Sequence, residues 1–135
     1  MRGVSLFLGF FFFFLFSYCT IRNEDGALNQ QSIVGTWHWK ESRGGITGNE
    51  IINPENTGVT IKLVFGTNKK VTVFTDNIET GTYDYTIQLG KSIFDSEPQP
   101  ILSFNAMNYV IEKISDTEMR IHDNFVDGYV LNYTK

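Results

Sequence analysis

The chain of 135 residues has room for one domain with a modest core. Its net charge of -4, with no basic stripe, excludes the phosphate-neutralising surface that a nucleic-acid partner requires. The single cysteine, Cys19, excludes an intrachain disulfide, so the fold depends on packing and on closed hydrogen bonding.

The first residues carry a positive start at Arg2, then an apolar run over 4–16. A mature membrane-spanning helix needs about 20 such residues, so the run is short for that and suits the apolar part of a secretory signal. The segment ends in Leu15-Phe16-Ser17-Tyr18-Cys19. These residues resemble the bacterial lipoprotein cleavage box, in which the cysteine becomes the first mature residue and carries lipid; Tyr18 departs from the small residue usual there. The expected division is a signal over 1–18, a lipid-anchored flexible linker over 19–32 and a domain over 33–135. The linker is polar and aperiodic. Its Glu24 and Asp25 resemble the acidic surface-export signal of Bacteroidota lipoproteins, and read equally well as a solvated tether. The implied location is the outer membrane, on its periplasmic face or at the cell surface.

From Ile33 onward short strands alternate with turn signals. The first spans 35–41 and sets Trp37 and Trp39 on one face at period two. A polar loop follows over 42–56, with Gly44, Gly45 and Gly48 as hinges for a lid. Strands at 58–65 and 70–75 flank a turn at 67–69, and Asp76-Asn77 is a second turn. Residues 81–89 alternate most cleanly: Tyr83, Tyr85, Ile87 and Leu89 face one way, and Asp84, Thr86 and Gln88 the other. Such alternation marks a sheet with one buried and one wet face. A loop over 90–100 leads to strands at 101–105, 108–114 and 117–122. A hairpin loop at 123–128 precedes the last strand, 129–135. The pattern predicts an all-β domain: eight antiparallel strands in an up-and-down barrel, the first pairing with the last. The interior of such a barrel admits side chains or one small ligand.

Gly35-Thr36-Trp37 opens the first strand, where lipocalins carry a Gly-x-Trp motif. Gly44-Gly45, Gly81-Thr82-Tyr83, Asp127-Gly128 and Tyr133-Thr134-Lys135 extend the likeness over 33–135. The domain is similar to the compact lipocalin-like lipoproteins of Bacteroidota. Larger lipocalins add a C-terminal helix and a disulfide that this sequence lacks. The resemblance implies that Gly35, Trp37 and a basic residue, Lys135 or Arg120, close one barrel end. It also implies a membrane-anchored binding protein for a small apolar ligand. Phe65, Tyr83, Tyr85, Tyr129 and Tyr133 are the lining candidates, with core packing as the plainer role, and a cavity would open opposite Trp37. The alternative is a filled barrel whose loops meet a protein or glycan.

Catalytic and cofactor chemistry have no support in these residues. His38 and His122 lack further ligands at metal spacing. Nucleophile elbows, phosphate loops and calcium loops are missing. The carboxylates at 95–97 and 123–127 read as loop composition rather than an acid–base pair. No enzyme, no cofactor and no metal is expected.

Overall fold

The computed structural model describes residues 33–135. The expected signal over 1–18 and the expected lipid-anchored linker from Cys19 to 32 lie outside the described residues. Ten strands form: β1 (Gly35–Gly44), β2 (Glu50–Ile52), β3 (Ile61–Phe65), β4 (Lys70–Thr75), β5 (Ile78–Asp84), β6 (Thr86–Gly90), β7 (Gln99–Phe104), β8 (Met107–Ile114), β9 (Glu118–Asp123) and β10 (Tyr129–Thr134). One short helix, α1 (Pro54–Thr57), lies between β2 and β3.

All pairings are antiparallel, in the order β5-β4-β3-β1-β10-β9-β8-β7-β6, with β2 attached to β1. The sheet curls around its core. Its two edge strands, β5 and β6, are consecutive in the chain and separated only by Tyr85. The Tyr85 N–H donates to Lys69 O at 3.0 Å, and Thr86 already pairs with Ser103 of β7. Tyr85 is therefore the point where one long run changes neighbours. That break is one of two departures from the expected eight strands.

The other lies at 42–56, expected as a loose loop and possible lid. There β1 runs on to Gly44, β2 pairs back onto it, and α1 follows. Asn53 caps α1: Asn56 N donates to Asn53 Oδ1 and Asn53 N to Asn56 Oδ1, both at 2.9 Å. Pro54 opens the helix, which suits a position that needs no N–H donor, and Gly58 ends it at φ 69. Four residues are too few to write a helical period into the sequence. The segment is thus a paired hairpin and a capped helical turn rather than an unstructured loop.

Tight turns follow local chemistry. Asp76 and Asn77 both take positive φ, 51° and 63°, as a two-residue hairpin with primed geometry demands. The Asp76 carboxylate also accepts from Thr60 N at 2.8 Å, tying the start of β3 to the turn.

Alternation decides the inner face. Trp37, Trp39, Leu63, Phe65, Val71, Tyr85, Leu102, Phe104, Ile111, Met119, Ile121 and Tyr133 form one buried cluster, joined by Ile33. Cross-strand register unites them: Trp37 opposes Leu63, Phe65 opposes Val71, and Met119 opposes Tyr133.

The outer face is wet except over β7 to β9. Ile101 and Val110 are directly opposed there, both on the outer face, yet only 7 % and 6 % exposed. The β6–β7 connection folds back over them as a strap. Phe94 stacks on His122 with ring centroids 3.9 Å apart, and Ser92 is buried. Asn124 fastens the strap twice, its Nδ2 donating to Lys91 O at 2.9 Å and its Oδ1 accepting from Ile93 N at 3.0 Å.

Candidate functional site

Trp37 lies at the end of the sheet that carries the start of β1 and the last residues of β10. Its side chain is fully buried, and its Nε1–H donates to Ile33 O at 2.7 Å. Lys135 lays its Nζ over the indole, 4.7 Å from the ring centroid. Such a contact contributes about 0.5–1 kcal/mol at an exposed site. Gly35 sits at φ 134°, where other residues are strained, and a Cβ there would lie 2.9 Å from Lys135 Cε and push the lysine end aside. Arg120 instead donates from Nε to Asn132 Oδ1 at 3.0 Å.

The aromatic lining candidates separate by depth. Phe65, Tyr85 and Tyr133 are buried. Phe65 meets Tyr85 edge-on at 5.0 Å and Phe104 at 6.2 Å, the quadrupole-favoured arrangement. The Tyr85 hydroxyl donates to Gly66 O at 3.3 Å, which satisfies it. Burial pushes the Tyr133 phenol well above its ordinary value, with Tyr109 and Asp123 adding to it. Tyr109 is pushed up to about 12, by burial first and then by Asp123.

Tyr83 and Tyr129 are only partly buried. The Tyr129 hydroxyl donates to the Glu50 carboxylate on β2, and that bond, ahead of burial and charge, raises its pKa. With Gly45, Ile46, Asn49, Glu50 and Asp127 it lines a surface hollow of about 610 Å³. A Cβ on Gly45 would fall 2.5 Å from Glu50 Oε2 and 2.8 Å from the Tyr129 oxygen, so Gly45 lets this contact form, while a Cβ on Gly44 would meet Gly128 O at 2.5 Å.

Beside the packed cluster the inner face stays half open. Ile61, Val73, Tyr83, Ile87, Tyr109 and Leu131 pack against the core but are only partly buried. Each shares the inward parity: Val73 opposes Leu63, Ile87 and Tyr109 oppose Leu102, and Leu131 opposes Ile121. Only Tyr83 of these was singled out as a lining candidate. The others carry the same alternation signal, which specifies a face and not a depth.

Asp123 was expected in a solvated hairpin loop. It ends β9 facing inward, opposite Tyr109, and is buried, with its Oδ2 accepting from Tyr129 N at 2.9 Å. The carboxylate is anchored by the backbone of the strand that follows. Among the described residues no three His, Cys, Asp or Glu side chains converge in a metal-ligand group. Comparison with protein-family models, with curated proteins and with solved structures finds no match for the chain.

Proposed function

We propose that the chain is a membrane-anchored, lipocalin-like lipoprotein that holds a small apolar ligand against the half-buried part of its inner face. The observation that carries this reading is the row of inward apolar residues, among them Val73, Tyr83, Ile87 and Leu131, left partly open beside a fully packed base. Binding sites are concave and mostly apolar with a few polar groups, and Tyr83 and Tyr109 supply hydroxyls there. Counting β5 and β6 as one strand broken at Tyr85, and β2 as an appendage, supports a barrel of eight staves. The Trp37–Lys135 contact supports the lipocalin-like reading of that end of the sheet. The apolar run ahead of Cys19 supports export and lipid attachment at that cysteine, on the outer membrane. Palmitate labelling should disappear in Cys19→Ser; labelling that persists removes the anchor.

The binding test uses an apolar fluorescent probe. The parent protein should show saturable emission enhancement, and Ile87→Asp, a partly buried position, should abolish it while circular dichroism keeps the β signal. Enhancement unchanged by Ile87→Asp rejects the inner face as the site. A second reading, a filled barrel that meets a partner through its loops, is favoured by Ile46, Phe125 and Val126, exposed on two adjoining loops. Native mass spectrometry of protein from its own host separates the two: a retained small molecule supports the first, a bound protein without one the second.

A further inference from the structure

On the outer face, away from the inner cluster, four adjacent strands bring a row of polar side chains into register. Glu41 of β1 opposes Asn132 of β10, Asn132 opposes Arg120 of β9, and Arg120 opposes Lys113 of β8. A bulge flanks the row at each side: one at Lys40, between Trp39 and Glu41, the other at Glu112, between Ile111 and Lys113. Bulges bend a strand and re-aim its side chains. Here they border a hollow of about 410 Å³ lined by Lys40, Lys113, Arg120, Asn132 and Thr134, together with Glu41 and Glu118.

The charges in the hollow do not cancel. Arg43, outside it, grips Glu41 with both Nε and Nη2, at 2.7 and 3.1 Å. Lys113 pairs with Glu118 at 2.5 Å. Among the described residues Lys40 and Arg120 have no carboxylate at ion-pair distance. Two positive charges therefore lack a direct ion-pair partner, on a chain whose net charge is -4, although, behind Arg43 and Lys113, Arg120 helps from farther off to hold the Glu41 and Glu118 carboxyls below their ordinary value. Arg120 is also pre-aimed. Asn132 Oδ1 holds its Nε, and the terminal nitrogens are the part of the guanidinium fork that matches two oxygens of one oxyanion.

We propose that this hollow binds a phosphoryl group, carried by a soluble ester or by a lipid head group. The two surplus cations match the charge of a phosphomonoester, about -1.5 to -2 at neutral pH. Arg120 takes two oxygens and Lys40 a third, the Thr134 hydroxyl borders the site as a neutral donor, and the Asn132 amide is turned to Glu41 Oε1 at 3.5 Å.

The test follows the Arg120 Nε–H and Asn132 amide signals of the full chain in dodecyl maltoside micelles. Glycerol phosphate is added at constant ionic strength. The shifts should saturate, with binding weakened about tenfold or more in the Lys40→Gln/Arg120→Gln double variant, read there from the Asn132 amide alone, as loss of two charge-assisted contacts implies. Lys69→Gln, in the distant β3–β4 turn, should leave binding unchanged. Shifts that grow without saturating, or that survive in the double variant, overturn the proposal. A second arm places the chain in phosphatidylcholine nanodiscs with or without phosphatidic acid, whose head group is a phosphomonoester. Shifts of the same signals on adding phosphatidic acid name the lipid head group as the source. Shifts that appear only with the ester name the soluble one.

Discussion

The run from β5 through β6 and the pair β7–β8 are neighbours in one sheet, yet they bury themselves differently. Along 83–88 the chain reads Tyr-Asp-Tyr-Thr-Ile-Gln. Tyr83, Tyr85 and Ile87 face the core while Asp84, Thr86 and Gln88 stay exposed. In β7 and β8 the apolar residues come as adjacent pairs, Ile101-Leu102 and Val110-Ile111, and all four are buried. Adjacent apolar residues in a strand require cover on both faces. Leu102 and Ile111 find it in the core, Ile101 and Val110 beneath the strap. The difference teaches that a lapse in alternation is itself a structural statement, because it announces a second cover that the chain must supply from elsewhere.

The largest expected effect breaks the inner half of this comparison. Tyr85→Ala removes a fully packed ring and the hydroxyl bond to Gly66, and should cost about 3–5 kcal/mol in urea unfolding, as other large aromatic truncations do. Gln88→Ala, three residues on and on the wet face, should stay within about 0.5 kcal/mol. Equal costs would mean that the run is not one-sided.

Alkaline titration probes the inner face of β8. Tyr109 ionises near 10 in the unfolded chain and near 12 when folded, because burial disfavours the phenolate. A folded-state pKa above the unfolded value means stability that is complete below pH 10 and declines as pH rises from about 10 to about 12. Unfolding midpoints should therefore fall across that window, and Tyr109→Phe should flatten the fall. A midpoint with the same alkaline slope in Tyr109→Phe places the cause elsewhere.

The strap carries the smallest effects. Val110→Ala should cost about 2 kcal/mol, the scale of two buried methyl groups plus a small cavity, although its side chain points away from the core. Asn124→Ala should cost about 1 kcal/mol. It should also speed amide exchange at Ile93 while leaving Ile111, on the inner face, protected. Uniform acceleration at both sites would show that strap and core open as one unit.

The candidate site was legible in part. Gly35, Trp37 and a basic partner, Lys135 or Arg120, were grouped by the resemblance to lipocalins, and the pairing of the first strand with the last is what puts residue 35 beside residue 135. The aromatic set was not separable. Phe65, Tyr85 and Tyr133 share parity with Tyr83 and Tyr129, but the first three lie in the packed base and the other two at partly open positions. Period-two alternation assigns a side of the sheet, whereas depth depends on tilt and on which strands cross above, and neither leaves a mark in the local sequence.

By itself the sequence determined the β class, the positions of most strands and the turn at Asp76-Asn77. These depend on alternation and on residues that tolerate special backbone angles, both local properties. Tertiary structure alone decided where the long strand changes partners at Tyr85, that Asp123 turns inward, and that Asn124 fastens a strap centred some 31 residues earlier in the chain. It also decided that Lys40, Lys113 and Arg120 share one hollow. Register and cover bring together residues far apart in sequence, and that information exists only once the sheet has curled.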